Sequence, residues 1–302
     1  MVGSVVVDVL MYVDRLPERG GDVLARRVLT SAGGGFNLLV AAARLGMDGA
    51  YGGRTGDGPF GAQARRALDD AGIAALLPPG HEADTGVVVG LVEPDGERTF
   101  ATSPGIEARL APDDLRALPL RPADAVYVSG YDLVYPVSGR SLEAWLPSLP
   151  GELLLAIDPG PLVADIPAER IETVLRRTDL LSLNAHEAAT LSGLDHPAAA
   201  AASLLPRLRA AALVVVRTGA TGCWLAAAGL DPIQVPGRPA RVVDTTGAGD
   251  THVAAFLARL SHGDPPARAA RLANAAASLS VERAGPATGP TLAELATAVD
   301  DG

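Results

Sequence analysis

The strongest constraint on the fold is an alternation of short apolar runs with helical patterns. Four runs are continuously apolar and bounded by turn residues, at 123–130, 153–158, 178–184 and 212–219. Such runs suit the central strands of a parallel sheet, because both faces of those strands are covered. Helical patterns follow at about 138–147, 167–177, 186–192, 197–210, 249–262 and 265–283. The alternation therefore predicts a doubly wound α/β fold, with a mostly parallel sheet flanked by helices.

Two segments interrupt this alternation. Residues 9–32 carry a Pro/Gly turn and no clear helix, and residues 85–102 predict two strands joined by a tight turn. We expect these segments to pair as a small β-sheet lid over one edge of the main sheet. The main α/β domain is then expected to comprise 1–8, 33–84 and 103–302.

Composition excludes several functional classes. The chain carries 25 basic and 35 acidic side chains and a net charge of −10, which argues against nucleic acid or an anionic membrane as partners. Every basic residue is arginine, so a GxxxxGK[ST] phosphate loop and a lysine nucleophile are impossible. No apolar run approaches the roughly 20 residues of a membrane span. The single cysteine, Cys223, cannot form an internal disulfide, which favours the cytoplasm.

A glycine motif at 56–61 has the GxGxxG form of a dinucleotide site. It follows the second predicted helix rather than the first strand. Pro59 also lies where the backbone would approach a pyrophosphate. We therefore interpret the motif as a structural turn between a strand and a helix.

The segment DTTGAGD, at 244–250, joins a predicted strand end to a helix. Free amide groups of such a turn converge on an anion, and Asp250 lies beside them in the first helical turn. A plain helix cap would explain an acid there without any chemistry. An anion hole next to a carboxylate is more specific, because phosphoryl transfer to a hydroxyl group needs both.

Two other motifs leave alternatives open. The glycine run at 32–37 is either a flexible turn with a capping Asn37, or a place where a ligand approaches bare backbone while Asn37 binds hydroxyl groups. Asn184 and Glu187 either cap a helix after a buried strand or hold Mg²⁺ largely through water.

Four motifs in this order resemble those of the ribokinase-type (PfkB) carbohydrate kinases over essentially the whole chain. They are AGGGFNLLVAAARLG at 32–46, NAHE at 184–187, DTTGAGD at 244–250 and ANAAASLSVERAGP at 273–286. The chain is most similar to a poorly characterised branch of bacterial sugar kinases. The resemblance implies a ribokinase-like fold with a β lid that often closes against a second subunit, hence a homodimer. It also implies transfer of phosphate from ATP to a hydroxymethyl group of a sugar or sugar derivative.

The resemblance assigns a role to each matching position. The catalytic set is Asp250, as base on the acceptor hydroxyl, with Gly247, Ala248 and Gly249 as anion hole. The acceptor set is Asp8, Gly33, Gly34 and Asn37. The ATP set is Asn184, Gly219, Gly222 and Asn274. The cation sets are Asn184 and Glu187 for Mg²⁺, and Asp244 and Thr246 for the K⁺ that activates many members. Arg217 departs from many relatives and either contacts an ATP phosphate or caps its strand.

Two departures bear on the acceptor. Val6 replaces an asparagine of ribokinase, and the Gly130-Tyr131 region replaces a glutamate that contacts ribose there. Because two polar sugar contacts are missing, free ribose is disfavoured. The acceptor is then another sugar or sugar acid, or a nucleoside whose base lies on Tyr131. A catalytically idle, ligand-sensing homologue is the remaining alternative.

Overall fold

Strands and helices alternate along the computed structural model, which describes residues 1–94 and 96–300. Position 95 of the expected lid and residues 301–302 of the expected main domain lie outside the described residues. The strands are β1 Val5–Tyr12, β2 Arg27–Gly34, β3 Ala50–Tyr51, β4 Ala74–Ala75, β5 Val87–Val92, β6 Arg98–Ser103, β7 Ala125–Ser129, β8 Leu154–Asp158, β9 Leu180–Asn184, β10 Leu213–Arg217, β11 Cys223–Ala227 and β12 Ile233–Val235. The helices are α1 Gly35–Arg44, α2 Pro59–Asp70, α3 Pro112–Arg116, α4 Gly130–Val134, α5 Ser138–Trp145, α6 Ala168–Leu175, α7 Ala185–Ser192, α8 Pro197–Leu204, α9 Ala248–Ser261, α10 Pro266–Val281 and α11 Leu292–Asp300.

The four continuously apolar runs form the centre of the main sheet. Its strand order is β12-β11-β10-β9-β8-β7, and β7 to β10 are parallel. Successive residues of these strands enter different cores. Leu181 and Val214 pack with α5, α6 and α8, whereas Leu180 and Val215 pack with α1, α9 and α10. Both faces are thus covered, and the predicted doubly wound α/β class is confirmed.

The first residues of the chain extend the main sheet beyond β7. The backbone amide of Val2 donates to the carbonyl oxygen of Tyr127 at 2.9 Å. The amide of Gly52 donates to the carbonyl oxygen of Met1 at 2.7 Å. The Met1 amino group donates to the carbonyl of Ala50 at 3.0 Å. Residues 1–2 therefore join β7 to the short β3–β4 pair before the chain enters the second sheet.

The second sheet is the expected lid, with strand order β2-β1-β5-β6. Asp8 pairs with Ser31 of β2 on one side and with Val88 of β5 on the other, so the two irregular segments do share one sheet. The pairing also includes residues 5–8, which the sequence analysis assigned to the main domain. The reason is that β1 is one continuous, mostly apolar strand that pairs with β2 along its whole length. The division into domains otherwise stays a prediction.

The turn between β10 and β11 offers a matched pair of glycines. Gly222 has a φ of 97°, and a Cβ there would lie 2.1 Å from the carbonyl oxygen of Val235. Gly219 has a φ of 63°, and no other atom lies within 4 Å of its Cβ position. Both residues have a positive φ, which favours glycine, but of this pair only Gly222 packs directly against a neighbouring strand.

We expect Gly222→Ala to lower the free energy of unfolding by at least about 3 kcal/mol, because the clash adds to backbone strain. Gly219→Ala should cost only about 1–2 kcal/mol, the strain of a left-handed alanine. Urea unfolding followed by circular dichroism measures both values. Equal losses would contradict the role of close packing at Gly222.

Candidate active site

Polar side chains end the four parallel strands of the main sheet. Ser129 and Asp158 are paired in register at the ends of β7 and β8, and Asn184 and Arg217 are paired at the ends of β9 and β10. Because the strands are parallel, all four side chains lie at one edge. The carboxyl edge of an open α/β sheet is where such folds bind ligands.

Arg217 is the buried cation of this edge. Its Nη1 donates to Asp158 Oδ2 at 2.8 Å and to Ser182 Oγ at 2.6 Å, and its Nη2 lies 3.7 Å from Glu187 Oε2. Burial disfavours the charge, but Asp158 and Glu187 outweigh burial and raise the pKa of the guanidinium. The pKa of Glu187 is raised by burial and by Asp158, against the opposing effects of Asn184 and Arg217. The arginine thus caps the strand ends.

Helix α9 begins at this edge with unused hydrogen-bond donors. Gly247 precedes the helix with a φ of 72°, and no side chain caps the helix. In the part of the chain that the structure describes, the amides of Gly247, Gly249 and Asp250 have no acceptor. A Cβ on Gly249 would lie 3.6 Å from Arg217 Nη2. Free amides above a guanidinium form a strongly electropositive position.

Asp250 lies in the first turn of α9, as the sequence predicts, and is half-buried. Burial and the neighbouring Asp158 raise the pKa of Asp250 to about 6, although Asn37 and Arg217 oppose the rise and Asp8 adds to it. The carboxylate is therefore ionised at neutral pH but is more basic than an exposed aspartate. Those are the properties of a general base.

Asn37 brings two predicted motifs together. Its Nδ2 donates to Asp250 Oδ2 at 3.4 Å, and a Cβ on Gly247 would lie 3.6 Å from Asn37. Among residues 1–94 and 96–300, its buried Oδ1 has no hydrogen-bond partner. The capping alternative for Asn37 is not supported, because Gly34 is the N-cap of α1 and receives no side-chain cap.

A cavity of about 260 Å³ lies between the lid and the carboxyl edge. Its lining is Ser4, Val6, Asp8, Gly34, Gly35, Val88, Phe100, Thr102, Tyr127, Ser129, Tyr131, Tyr135 and Asp250. Burial raises the pKa of Asp8 to about 6. Gly33 leaves room for this carboxylate, since a Cβ at Gly33 would lie 2.0 Å from Asp8 Oδ2. Of the predicted acceptor residues, Asp8, Gly34 and Tyr131 therefore line one cavity together with the predicted base. Gly33 and Asn37 do not line it, but they lie against the carboxylates of Asp8 and Asp250.

Several residues of this site were missed from the sequence. Asp158 ends a predicted strand with an acid, a signal that could have placed it at the carboxyl edge. Phe100 and Thr102 are two residues apart on β6, so the period of a strand puts them on one face. Ser129 ends its strand in the same way, whereas Tyr127 and Tyr135 offered no such signal, because only the tertiary fold brings them to the cavity.

Asn184 and Glu187 form a capping box at the start of α7. Glu187 Oε1 and Oε2 each accept a hydrogen bond from Asn184 at 2.7 Å, and the Glu187 amide donates to Asn184 Oδ1 at 2.8 Å. In the described residues, no three His, Cys, Asp or Glu side chains gather closely enough for a metal centre. The two side chains are thus bonded to each other, and their role toward Mg²⁺ stays a prediction.

Of the predicted ATP residues, Asn184 and Arg217 end β9 and β10, Gly219 and Gly222 lie in the turn after β10, and Asn274 is buried in α10. Asn274 Nδ2 donates to the carbonyls of Val235 and Pro236 at 3.0 and 3.1 Å, and Oδ1 pairs with His252 Nε2 at 3.1 Å. Burial, aided by Arg217, lowers the pKa of His252 to about 3, so the imidazole is neutral. Asn274 thus fixes the backbone after β12. The contact of Asn274 with adenine stays a prediction, and so do the contacts of Gly219 and Gly222 with ATP.

The GxGxxG motif is a structural turn. The amides of Phe60 and Gly61, at the start of α2, donate to the Asp84 carboxylate at 3.0 and 2.8 Å. A Cβ at Gly61 would lie 1.9 Å from the carbonyl oxygen of Gly56. Because a carboxylate already occupies this helix N-terminus, the interpretation made from the sequence holds.

Comparison with known proteins decides the family. The family described as pfkB family carbohydrate kinase matches residues 1–292. The chain belongs to the pfkB carbohydrate kinases. The "Uncharacterized sugar kinase YegV" of Escherichia coli (strain K12) is 34% identical over 298 residues, which cover 98% of this kinase and 92% of the relative.

Solved structures show the same fold. A structure of Arabidopsis thaliana ribokinase complexed with ribose and ATP superposes with a TM-score of 0.80 at 26% identity, covering 99% of this kinase and 97% of that chain. A Methanocaldococcus jannaschii nucleoside kinase superposes with a TM-score of 0.83 at 20% identity, covering 100% and 97%. The predictions of a ribokinase-like fold and a carbohydrate kinase are confirmed. Among the described helices of the kinase, none is both long and apolar enough to cross a membrane.

We expect Arg217→Met to lower the free energy of unfolding by about 3–5 kcal/mol near pH 8, because Asp158 and Glu187 would stay buried without their cation. The loss should shrink as the pH falls, because burial raises the pKa of Glu187 and this carboxyl can then take up a proton. Adding Asp158→Asn should restore part of the stability. Urea unfolding at several pH values measures these effects.

The matched control is Arg116→Met, which removes an exposed ion pair with Asp113 and should cost less than about 1 kcal/mol. A loss in Arg217→Met that is equally small, or independent of pH, would contradict a buried charge network.

Proposed function

We propose that this kinase transfers the γ-phosphoryl group of ATP to a primary hydroxyl group of a sugar or sugar derivative. The observation that carries the proposal is the position of Asp250. Its half-buried carboxylate lines the cavity and directly follows the free amides of Gly247 and Gly249 at the start of α9. A base and an anion hole at one point are what phosphoryl transfer requires.

The chemical step follows from this geometry. The acceptor oxygen attacks the γ-phosphorus while the bond to the bridging oxygen of ADP breaks, and the hydroxyl proton passes to Asp250. The amides of Gly247 and Gly249 stabilise the charge on the transferring group. Asn37 holds the carboxylate through its Nδ2, at 3.4 Å, and so orients the base toward the cavity.

Acceptor binding is assigned to polar groups that face the cavity from the lid side. Asp8 lines the cavity, and its cross-strand neighbour Ser31 has a buried Oγ without a partner in the described residues. Asn37 Oδ1 is likewise unpartnered. Because unpaired buried polar atoms are costly, hydroxyl groups of a bound sugar are suitable partners for them. Closure of the lid over the acceptor would also exclude water, which competes as phosphoryl acceptor.

The nucleotide is assigned to the other side of α9, along the ends of β9 and β10. Asn184 and Glu187 would face the phosphates of ATP and the water shell of Mg²⁺, and Gly219 would lie against the nucleotide. Bound Mg²⁺ would supply charge neutralisation on the phosphates. The homodimer through the lid and the cytoplasmic location also remain proposals, supported by the family resemblance and by cysteine usage.

A nucleoside is the second candidate acceptor, and the cavity wall favours it. Val6, Phe100 and Tyr131 give the wall an apolar and aromatic character, and Tyr131 is partly exposed. A flat base can stack on such a wall, whereas a free sugar would leave it without polar contacts. The phosphate-handling residues would serve both acceptors equally.

We expect Asp250→Asn to lower the rate of phosphoryl transfer by about 10²–10⁴-fold, the usual contribution of a general base. ADP formation is measured with Mg·ATP and a panel of sugars, sugar acids and nucleosides. Turnover with nucleosides alone would select the second candidate. ADP binding without transfer to any member of a wide panel would contradict the proposal and favour an idle homologue.

Asp70→Asn is the matched control for this variant. Asp70 is exposed at the end of α2, so its loss should leave the rate unchanged. Thermal unfolding of both variants confirms that they are folded.

We expect kcat/KM to fall as the pH drops through about 6, because the base must be ionised and burial raises the pKa of Asp250 to about 6. Asp8 has a pKa raised to the same value, so the acid limb should be steeper than that of one group. In Asp8→Asn the limb should follow one ionisation and move to lower pH, because Asp8 contributes to the raised pKa of Asp250. Constant kcat/KM from pH 5 to pH 8 would refute the assignment.

A further inference from the structure

An arginine of the lid reaches the loop that forms the anion hole. Arg98, the first residue of β6, forms an ion pair with Asp244 Oδ1, although 146 positions separate them. The two side chains are only 20% and 13% exposed. The contact is therefore a largely buried link between the lid and the main domain, and buried ion pairs are screened little by solvent.

Asp244 in turn holds the backbone that leads into α9. Its Oδ1 also accepts from the Thr246 amide at 2.9 Å and the Thr246 hydroxyl at 2.7 Å, and its Oδ2 accepts from the Gly285 amide at 3.0 Å. The amide of Asp244 donates to the carbonyl of Val281 at 3.1 Å. One carboxylate thus connects the lid, the turn before Gly247 and the loop after α10.

This arrangement does not fit a monovalent cation at Asp244. The resemblance assigns Asp244 and Thr246 to K⁺, but a guanidinium already lies against this carboxylate, and within the described residues both of its oxygens accept hydrogen bonds from donors. Burial raises the pKa of Asp244, but the Thr246 and Gly285 contacts and Arg98 outweigh burial and lower it. A second cation at the same carboxylate would meet the charge of Arg98 at close range.

Two other arginines of the lid, Arg26 and Arg27, make contacts within the lid. Arg26 pairs with Asp14 at 3.1 Å, with both side chains more than half exposed. The Arg27 guanidinium lies 5.5 Å from the centre of the Tyr12 ring. Arg98 differs from both, because its partner Asp244 belongs to the segment of the main domain that leads into α9.

We propose that Arg98 is a positioning residue, which holds Asp244 and hence the anion-hole turn in place of a monovalent cation when the lid is closed. This inference rests on the proposed phosphoryl transfer. Because Arg98 belongs to β6, which also carries Phe100 and Thr102 to the cavity wall, the strand that covers the acceptor also completes the support of the anion hole. The kinase would thereby assemble its phosphate site only with the lid in place.

The first test uses the wild-type kinase, with KCl replaced by tetramethylammonium chloride at constant ionic strength. We expect no change in kcat. Thermal unfolding without substrates gives a second readout, because a cation that binds the folded state raises Tm. We expect the same Tm in both salts. A rise of kcat or Tm with K⁺ would overturn the proposal.

The second test is Arg98→Met, for which we expect kcat to fall by about 10–100-fold, because misplacement of the anion hole impairs alignment of the transferring group. Unchanged kcat would overturn the proposal, and so would a loss confined to the KM of the acceptor, since that would mean that Arg98 only closes the lid. Arg26→Met is the matched control and should retain wild-type kcat. A fall of kcat in Arg26→Met equal to that in Arg98→Met would also overturn the proposal.

The outcomes separate this inference from the proposed function. If no acceptor gives turnover with the wild type, the proposed function fails, while the Tm comparison still tests the cation site. If Arg98→Met does not fold, Arg98→Gln is measured in the same way, and the wild-type salt comparison needs no variant.

Discussion

The charge balance around Arg217 is the interaction on which the site depends. Parallel strands bring Asp158 and Glu187 to one buried edge, and α9 adds Asp250 beside them. Like charges in a poorly solvated place repel strongly, and burial and Asp158 raise the pKa of both Glu187 and Asp250. Arg217 is paired with Asp158 and lowers the pKa of Asp250. The guanidinium therefore keeps the base ionised at neutral pH while it stabilises the ends of three strands.

Local patterns in the sequence were sufficient for the fold and for part of the site. The buried strands are continuous apolar runs, and Asp250 follows a glycine turn at a helix start, so both are readable within about ten residues. The pairing of Arg98 with Asp244 was not readable, because it joins two segments far apart in the chain. The same holds for Tyr127 and Tyr135, whose positions on the cavity depend on how the lid covers the sheet.

The two sides of the site have different chemical characters. The phosphate side is built from backbone amides, a buried guanidinium and carboxylates, which suits a reaction common to a whole family of kinases. The acceptor side combines a few polar groups, Asp8 among them, with aromatic walls from the lid and from α4. In the proposed function, selectivity among acceptors would therefore depend on the lid and on Tyr131, whereas the reaction type would depend on α9.

The connection between the lid and α1 has a mechanical consequence. β2 ends at Gly34 and α1 begins at Gly35, with no loop between them. Asn37 is therefore less than one helical turn from the end of the lid strand β2, and its side-chain amide donates a hydrogen bond to Asp250. A tilt of the lid that displaced this junction would shift Asn37 with it and alter the setting of the base. If Asp250 is the base as proposed, contact of the acceptor with the lid would affect proton transfer through Asn37, which would discourage hydrolysis of ATP when no acceptor is present.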